Sequence, residues 1–599
     1  MEKEREVGGF PFFPSTAKLR TKVDGMSDEH KENKRDQCAA TLAALRTELA
    51  ARGWDACVVP DCDAHRSEFV AASDKRLRAV TGGRFTGDSG IALVDRTRAR
   101  VFVDSRFWLQ AAQELAGTEW QVVCDGKEGE KSLAEFLAED AEEHCRGGAP
   151  YVVGVDSTLV TPDECSQMTE KASATAPVKV VCAPPDVPNI VDVVWKDRPC
   201  PTQGPCSAFV LDESAAGGPE RCVGAKLAAL RAQCLASRND SDSPVAGFVV
   251  SGLEDICWLL NIRGNAVPCM PVVKAYAVVR WSPDAADTAA TPSVTLFVDS
   301  EVVADTEVQR HLTACAVTVM PYADVFAHLS ELAAHGVQLC ATQSGISVAL
   351  REALEARPPL LLSMSPLAGP RAVKTRQEVA NMARAHTEDS LAAVRLLALL
   401  EAGLAAGDAD VCSLDEWGVC EMLESVRRKS SGARYLGPSF PTIAGYGANG
   451  AVVHHEPSAE HPGKQIGTES LLLLDFGGQY AYGGTTDTTR TVHFGVPTAE
   501  QRRAFTIVLR SHIALASTLF PNWSTTAADL DTIARAPMSE VGLEYGHGTG
   551  HGIGTLLAVH ENPVLRRNDK TVIERFAFLT HHQQTMPPLT QRWSVDTEG

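Results

Sequence analysis

The sequence predicts an α/β protein built from three consecutive blocks. The chain has 599 residues, enough for two to four domains of roughly 150 residues each. In the first two blocks, short apolar runs alternate with helical stretches, a pattern typical of α/β sheet domains. The third block begins near Lys374 with a long predicted helix, followed by a glycine-rich segment at 445–450.

The first block covers about residues 35–195 and opens with a helix. From Cys38 to Ala51, the leucines at 42, 45 and 49 recur on one helical face, which predicts an amphipathic helix packed on a core. Four β-like runs follow, with helical stretches between them. These runs are ACVVP (56–60), GIALV (90–94), ARVFVD (99–104) and YVVGVD (151–156).

The second block looks like a repeat of the first architecture. Residues 199–221 are rich in proline, glycine and small residues, which predicts a linker or surface insertion. A helix is predicted at about 223–237, followed by strands at GFVVS, AYAVV and VTLFVD. The segment 282–293, SPDAADTAATPS, is predicted to be a disordered hairpin tip.

The third block combines a long helix with apolar strands. The helix is predicted from Arg376 to about Leu400, with Glu378, Arg384 and Asp389 on its polar side. The run LLLLDFGGQY then predicts a buried strand, and TTRTVHFG predicts a hairpin partner for it.

Bulk composition excludes some classes of function. The formal charge of −20 argues against nucleic acid as a partner, since a phosphate-binding face needs clustered lysine and arginine. No apolar run reaches the roughly 18 residues of a membrane span, and the charged N-terminus lacks a signal-peptide core. The 17 cysteines have no zinc-knuckle spacing, so we interpret them as reduced thiols of a cytoplasmic protein.

Two carboxylates stand out in the third block. Asp475 ends the run Leu471–Leu474, and Asp487 follows a Gly-Gly turn in GGTTDTTRTVHF. A hairpin between these strands brings the two side chains close, and two buried like charges repel each other unless a cation lies between them. The alternative from spacing alone is that each is a capped or salt-bridged turn residue.

Three histidines lie within 14 residues of one another in YGHGTGHGIGTLLAVHENP. They are His547, His551 and His560, interleaved with glycines that allow close approach of the backbone. Imidazole is a common ligand of divalent metals. A fourth candidate is His454 or His455 in GAVVHHEP, at the end of an apolar run, although a lone histidine there is more often structural.

Two aspartates and a histidine suit Mn, Fe, Co or Zn in a catalytic rather than a structural site. Such a site makes hydroxide from bound water and polarises a carbonyl. The residues themselves therefore predict a metal-assisted hydrolase, without a substrate.

Several motifs in the same order resemble the large three-domain, cytosolic aminopeptidase P (Xaa-Pro aminopeptidase) of the pita-bread metallopeptidases. The similarity covers about residues 37–563. The motifs are PDCDAHRSEFVAASDKRLRAVTG, DSRFWLQAAQEL, DVVWKDRP, LEDICWLLNIRGN, RAVKTRQEVANMARAH, SFPTIAGYGANGAVVHHEP, DFGGQY…GTTDTTRTVHFG and HGTGHGIGTLLAVHENP.

The resemblance implies two creatinase-N-terminal-like α/β domains followed by an incomplete pita-bread catalytic domain. The implied limits are 1–195, with a flexible stretch 1–34, then 196–366 and 367–599, the family match ending near 563. It also implies release of the residue in front of proline, two Mn²⁺ ions, proline-containing peptide substrates and a homodimer.

The resemblance implies roles for six residues. Asp475, Asp487 and His551 match metal ligands. His454 matches a histidine that contacts substrate, and His547 and His560 match histidines that bind substrate and move protons.

The chain departs from the family pattern in two places. Asp475 and Asp487 are twelve positions apart rather than eleven, and a slip of one residue turns a side chain to the other face. Only 36 residues follow Pro563, and they contain neither the EPG glutamate nor the RIEN-like glutamate, while Glu574 and Glu598 have the wrong neighbours. The loss of those family strands is expected to leave unpaired sheet edges.

The competing hypotheses follow from that departure. The main one is an Xaa-Pro aminopeptidase; the second is a catalytically dead or truncated homologue that keeps dimerisation or peptide binding. A third, a different pita-bread enzyme such as a prolidase or creatinase, is disfavoured by the three-domain length and the motifs around His454 and Asp487.

Overall fold

A computed structural model describes residues 28–144, 149–200, 207–236, 244–282, 292–521, 524–566, 578–584 and 595–598, with side chains described between residues 37 and 566. Within these ranges, none of the helices combines the length and the apolar character that crossing a bilayer requires. The predicted hairpin tip at 283–291 lies outside the described residues.

The first block forms a six-stranded mixed sheet in the order β4-β3-β2-β1-β5-β6. All four predicted strands are present. The strands are β1 (Ala56–Pro60), β2 (Ile91–Asp95), β3 (Ala99–Val103), β4 (Trp120–Cys124), β5 (Tyr151–Asp156) and β6 (Val178–Ala183); the helices are α1 (Asp28–Arg52), α2 (Arg76–Val80), α3 (Trp108–Glu114), α4 (Leu133–His144), α5 (Pro162–Thr169) and α6 (Ile190–Val194).

Helix α1 confirms the leucine pattern, because Leu42, Leu45 and Leu49 are completely buried. The helix begins at Asp28 rather than at Cys38. Residues 28–34 form the first part of this helix, and their flexibility stays a prediction. Residues 1–27 lie outside the described part.

The second block repeats the topology of the first, as predicted. Its sheet order is β12-β11-β10-β8-β13-β14, with the same succession of parallel and antiparallel pairs. The strands are β7 (Phe209–Val210), β8 (Gly247–Val250), β9 (Ile262–Arg263), β10 (Tyr276–Arg280), β11 (Ser293–Phe297), β12 (Val317–Met320), β13 (Leu339–Thr342) and β14 (Leu360–Leu362); the helices are α7 (Val223–Ala236), α8 (Leu253–Leu260), α9 (Thr306–Ala314), α10 (Val325–Ala334), α11 (Val348–Ala353) and α12 (Ala368–Ala372).

The segment predicted as a linker or surface insertion packs into the structure from residue 207 onward. Strand β7 pairs with β9, and Leu211, Ala215 and Ala216 are buried against the third block. The prediction of a surface segment is wrong for these residues, because small residues also permit close packing between domains. Residues 201–206 lie outside the described part.

The third block carries long helices around three small sheets. The helices are α13 (Arg376–Ala406), α14 (Ala409–Cys412), α15 (Glu416–Ser431), α16 (Ala499–Ala516) and α17 (Ala527–Ser539); the strands are β15 (Tyr435–Pro438), β16 (Ile443–Tyr446), β17 (Leu471–Phe476), β18 (Gly478–Tyr480), β19 (Gly484–Thr485), β20 (Thr488–His493), β21 (Gly550–Gly552), β22 (Glu561–Leu565), β23 (Phe578–Gln584) and β24 (Val595–Glu598).

Strand β17 is buried along its whole length and lies between β16 and β20. The run of four leucines fits this position, because a central strand covered on both faces needs apolar side chains on both. The predicted pairing of LLLLDF with TTRTVH is confirmed, with Asp475 opposite Thr489.

The tail pairs with the sheet that carries His551. Strand β21 has β22 on one side and β23 on the other, and β24 pairs with β23. The expectation of an unpaired edge is therefore wrong for β21. Within β23, Phe578 and Thr580 are the aromatic and β-branched residue types that favour strands.

Helix α13 buries two carboxylates that the sequence had placed on its polar side. Glu378 and Asp389 are each 1% exposed. Glu378 accepts from the Arg221 guanidinium, at 2.9 Å from Nη2, and Asp389 accepts from Arg427 Nε at 2.7 Å. A buried charge is tolerated only when it is paired. Helix α13 therefore holds both carboxylates in internal ion pairs, although its sequence pattern predicts an exposed polar face.

We expect Arg427→Met to destabilise the protein by about 3–5 kcal/mol, because it leaves the buried Asp389 carboxylate without its cation. Two further groups depend on that carboxylate, the Tyr480 and Thr486 hydroxyls. Urea unfolding followed by tryptophan fluorescence measures the change.

The matched control for this prediction is Arg428→Met. Arg428 is the next residue, is half exposed and forms a surface ion pair with Glu424 one helical turn away, so its loss should cost less than about 1 kcal/mol. Equal effects of the two substitutions would contradict the assignment of Asp389–Arg427 as a structural pair.

Candidate metal centre

The two candidate aspartates lie on one face of the β17–β20 ladder. Asp475 is paired with Thr489 and Phe476 with Thr488, so Asp487 falls opposite position 477. Positions 475 and 477 share a face because side chains alternate along a strand. The twelve-residue spacing is therefore compatible with two carboxylates on the same side of the hairpin.

A short turn makes that register possible. Tyr480 pairs with Gly484, leaving residues 481–483 as the connection between β18 and β19. Gly483 has φ +92°, and a Cβ on it would lie 2.3 Å from the Ala215 carbonyl oxygen. Only glycine fits this position, where the turn meets the second block.

Asp475, Asp487 and His551 are all buried, with at most 5% of each exposed. Asp487 Oδ2 lies 3.4 Å from His551 Nε2. Asp475 Oδ1 accepts a hydrogen bond of 2.8 Å from the Thr489 hydroxyl. The structure thus brings Asp487 and His551 together and aims Asp475 toward β20.

His551 is oriented as a metal-ligating histidine. Its Nδ1 lies 2.7 Å from the Gly552 carbonyl oxygen, so Nδ1 carries the proton and Nε2 presents its lone pair to Asp487. Burial, and next the neighbouring His560, lower the pKa of His551. Both effects favour the neutral imidazole that binds metals.

The donor chemistry fits a divalent cation, since two carboxylates and an imidazole nitrogen are ligands for manganese, iron, cobalt or zinc. Within the described residues, however, no three His, Cys, Asp or Glu side chains converge closely enough to enclose a metal ion. Three donors also fall short of a two-metal site.

The two glutamates considered from the tail add nothing to the described site. Glu574 lies outside the described residues, and Glu598 ends β24, where the backbone at 598 pairs with that at 581.

His547 and His560 stand on either side of His551. The His547 ring stacks on Tyr545 at 4.7 Å, and burial followed by the nearby Arg535 lowers its pKa. The His560 ring contacts that of His551 edge-on at 4.1 Å. Although burial opposes it, the Glu68 carboxylate raises the pKa of His560.

The structure separates the two adjacent histidines that the sequence left as alternatives. His455 Nε2 lies 2.7 Å from the completely buried Glu416, which also accepts from the Tyr446 amide. His455 therefore stabilises the loop. His454 instead faces the first block, 3.4 Å from Asp88 Oδ1, with its ring 4.8 Å from that of Phe107.

The first block supplies groups that sequence reasoning missed. Glu68 contacts the His560 Nδ1 and lies 3.3 Å from its amide nitrogen. Asp88 pairs with His454, and the Ser105 hydroxyl donates to the Gly546 carbonyl. Glu68 and His560 are 492 positions apart, so no local pattern could reveal the contact.

The loop between His551 and His560 is held from outside the third block. The buried Arg263 guanidinium donates to the carbonyl oxygens of Thr555, at 3.0 Å, and of Leu556. Burial lowers the Arg263 pKa to about 10. Leu556 has φ +51°, a conformation that needs such external support in a non-glycine residue.

Gln479 and Thr485 hold the same loop from the catalytic sheet. The Gln479 side chain donates to the Leu557 carbonyl at 2.7 Å, and the Thr485 hydroxyl accepts from the Leu556 amide at 2.9 Å. The two side chains also bond to each other. The histidine loop is thus fixed between β18–β19 and the second block.

Comparison with known proteins gives a consistent result along the chain. Residues 380–588 match Metallopeptidase family M24, and residues 42–184 and 197–378 each match the Creatinase/Prolidase N-terminal domain. The M24 match extends beyond Pro563 into the tail.

Whole-chain relatives agree. The chain is 34% identical over 566 residues to a probable Xaa-Pro aminopeptidase P of Botryotinia fuckeliana, covering 93% of this chain and 80% of the relative. It is 33% identical to aminopeptidase P1 of Arabidopsis thaliana, covering 87% and 81%. The X-prolyl aminopeptidase of Caenorhabditis elegans, a cytosolic enzyme with a di-nuclear active site, superposes with a TM-score of 0.78 at 26% identity, covering 94% and 90%.

We expect Arg263→Met to loosen the histidine loop. Removing several hydrogen bonds from a charged donor, each contributing about 1.5–3 kcal/mol, should speed amide hydrogen exchange across 553–559 by roughly tenfold or more. Mass-spectrometric exchange on the folded protein measures this. Arg263→Lys, which keeps the charge but not the fork of donors, should give an intermediate effect.

Arg310→Met provides the control, because Arg310 is an exposed arginine on α9 of the same sheet domain. It should leave exchange in the loop unchanged. If the loop exchanges at the same rate in folded Arg263→Met as in the unmodified protein, the arginine does not hold it.

Proposed function

Because the chain belongs to the aminopeptidase P-like metallopeptidases of family M24, we propose that it releases the N-terminal residue from peptides with proline in the second position. The observation that carries this proposal is the cluster of Asp487, His551 and His560 on the buried hairpin and its facing loop. The sequence relatives, which are named for that activity, support it.

We propose Asp475, Asp487 and His551 as the metal ligands and Mn²⁺ as the metal. When bound, manganese supplies hydroxide at neutral pH and polarises the carbonyl in front of proline. Asp475 Oδ1 accepts a hydrogen bond from the Thr489 hydroxyl, and the carboxylate keeps further lone pairs with which it would hold the cation.

The histidines bind substrate and move protons in this proposal. Glu68 holds His560 at Nδ1, which fixes the ring and leaves Nε2 to face the reacting peptide. The Glu68 charge favours the protonated ring, suited to donate a proton to the departing proline nitrogen. His547 and His454 contact the peptide from opposite sides, His547 from the third block and His454 at the boundary with the first.

Recognition of proline in the second position cannot use a backbone donor, because the imide nitrogen of proline carries no N–H. The site must therefore recognise the ring by shape. The first block, through Glu68, Asp88 and Ser105, closes one side of the cleft and limits access of water to the reacting bond.

We also propose domain limits of 1–195, 196–366 and 367–599, and a cytoplasmic location. Each six-stranded sheet falls wholly within one of the first two segments. The C. elegans structural relative, a cytosolic enzyme, supports the location.

The second candidate function is that of a non-catalytic homologue that keeps peptide binding or dimerisation. It is favoured by one observation, that no three metal-binding side chains converge among the described residues.

Hydrolysis of Arg-Pro-Pro by the folded 599-residue protein, with and without Mn²⁺, decides between the two. The proposed function predicts Mn²⁺-dependent release of arginine and no release from Arg-Ala-Pro.

His551→Ala should lower the rate of this release by more than roughly 100-fold, since loss of a ligand's outer partner alone costs 10–100-fold. The exposed His335 on the second sheet domain provides a neutral control as His335→Ala. Absence of release from a folded, Mn²⁺-loaded protein would support the non-catalytic alternative.

We propose that the chain forms a homodimer through α16. Phe505, Leu509 and Ile513 recur every four residues and are 44%, 44% and 54% exposed, so they form one apolar stripe on this helix. An exposed stripe of this kind marks an interaction surface.

Sedimentation should give about twice the 64.1 kDa chain mass, and Leu509→Asp should shift the protein to the monomer. Val394→Glu, at a more exposed apolar position on α13, should leave the dimer intact. A monomer without any substitution, or dissociation by Val394→Glu alone, would contradict the assignment to α16.

A further inference from the structure

We propose that the cavity between Asp61, Asp88 and Glu456 binds the cationic side chain of the substrate's first residue, so that the enzyme favours arginine or lysine in front of proline. This inference rests on the proposed function for the identity of the peptide, and it adds a specificity that the relatives' names do not give.

The cavity lies where three parts of the chain meet. It has a volume of about 50 Å³, with Asp61, Asp88 and Phe69 from the first block, Cys269 from the second and Glu456 from the third. Because a single water needs roughly 10–15 Å³ of such space, about four water-sized groups fit. That is enough for the head of a guanidinium or ammonium group.

Two contacts link residues in the wall of the cavity to residues of the candidate site. Asp88 on its wall pairs with His454 at 3.4 Å, and the Cys269 carbonyl accepts from Gln479, the same side chain that holds Leu557 in the histidine loop. A group in the cavity is thus one side chain away from the residues proposed to contact the peptide.

Asp61 and Glu456 are the carboxylates of the cavity that remain for a ligand cation. Three carboxylates and two basic side chains, Lys75 and Arg78, line the cavity, and His454 pairs with Asp88. Among the described residues, neither Asp61 nor Glu456 forms an ion pair, and Asp61 Oδ1 is shielded from solvent without a hydrogen-bond partner. A guanidinium or ammonium group in the cavity would supply the donor that this oxygen lacks.

The ionisation of these groups agrees with that geometry. Burial and then the Asp88 charge raise the pKa of Asp61 to about 7 and raise that of Glu456. Although burial opposes it, His454 lowers the pKa of Asp88 to about 2. Asp88 therefore already has a partner, while Asp61 and Glu456 are the carboxylates that a ligand cation would stabilise.

The walls suit the rest of a long basic side chain. Phe69, Val70, Pro268 and Pro441 are the apolar part of the lining. A methylene stem packs on such surfaces while its charged end reaches the carboxylates. In a peptide whose second residue is proline, the first residue is the variable side chain nearest the reacting bond.

The test compares binding of Arg-Pro-Pro and citrulline-Pro-Pro by isothermal titration calorimetry, with Mn²⁺ present. Citrulline has nearly the shape of arginine and no charge. We expect arginine to bind at least roughly tenfold more tightly, and Asp61→Asn to bring that ratio close to one. Equal affinity for the two peptides, or no binding of Arg-Pro-Pro, would overturn the proposal.

Two further variants keep the test decisive. Glu456→Gln should also reduce the ratio, and it replaces Asp61→Asn if that variant fails to fold. Asp125→Asn, an exposed acid on the same domain, should leave the ratio unchanged; a fall with Asp125→Asn as large as with Asp61→Asn would show a general charge effect and contradict a defined subsite.

Hydrolysis of both peptides is measured in parallel. Selective binding of the arginine peptide without release of its first residue would refute the proposed activity and leave the subsite standing. Release of the first residue from both peptides, with equal affinities for the two, would support the proposed activity and refute the subsite.

Discussion

Buried charges that cross the boundaries between blocks fix the geometry on which the site depends. Arg263 is completely buried, and its guanidinium donates to the backbone carbonyl oxygens of four residues, two of them in the histidine loop. Glu561, the residue after His560, pairs with Arg371 at 2.6 Å and with Lys374. Since an unmatched buried charge is strongly destabilising, these groups allow little freedom in how the second block meets the third.

The candidate centre is framed by the strand register. The β17–β20 register sets both aspartate positions, because side-chain direction alternates strictly along strands. Within that frame, the Thr489 hydroxyl donates to Asp475 Oδ1, and Asp487 Oδ2 lies 3.4 Å from His551 Nε2. The two carboxylates therefore lie on one face of the hairpin, while the imidazole comes from β21.

The first block contacts two of the candidate site histidines. Glu68 reaches His560, Asp88 reaches His454, and both acids belong to the sheet domain that opens the chain. In the proposed function, these acids and the acidic cavity make the boundary between the first and third blocks a substrate-facing surface. A carboxylate placed beside a histidine favours its charged form, while burial favours its neutral form. His560 and His551 show these opposite outcomes at adjacent positions.

The sequence by itself indicated the strands, the repeated α/β architecture and the candidates Asp475, Asp487, His547, His551 and His560, because hydrophobic periodicity and glycine-rich motifs are local signals. It could not show that Glu378 and Asp389 are buried, that residues 207–221 pack between blocks, or that tail residues pair with β21. The residues alone also left His454 and His455 as alternatives, and the structure gives these two histidines different partners, Asp88 and Glu416. These features were decided only by the tertiary structure, because each depends on a partner far away in the chain, and the charge or size of a residue does not reveal which distant group will neutralise or cover it.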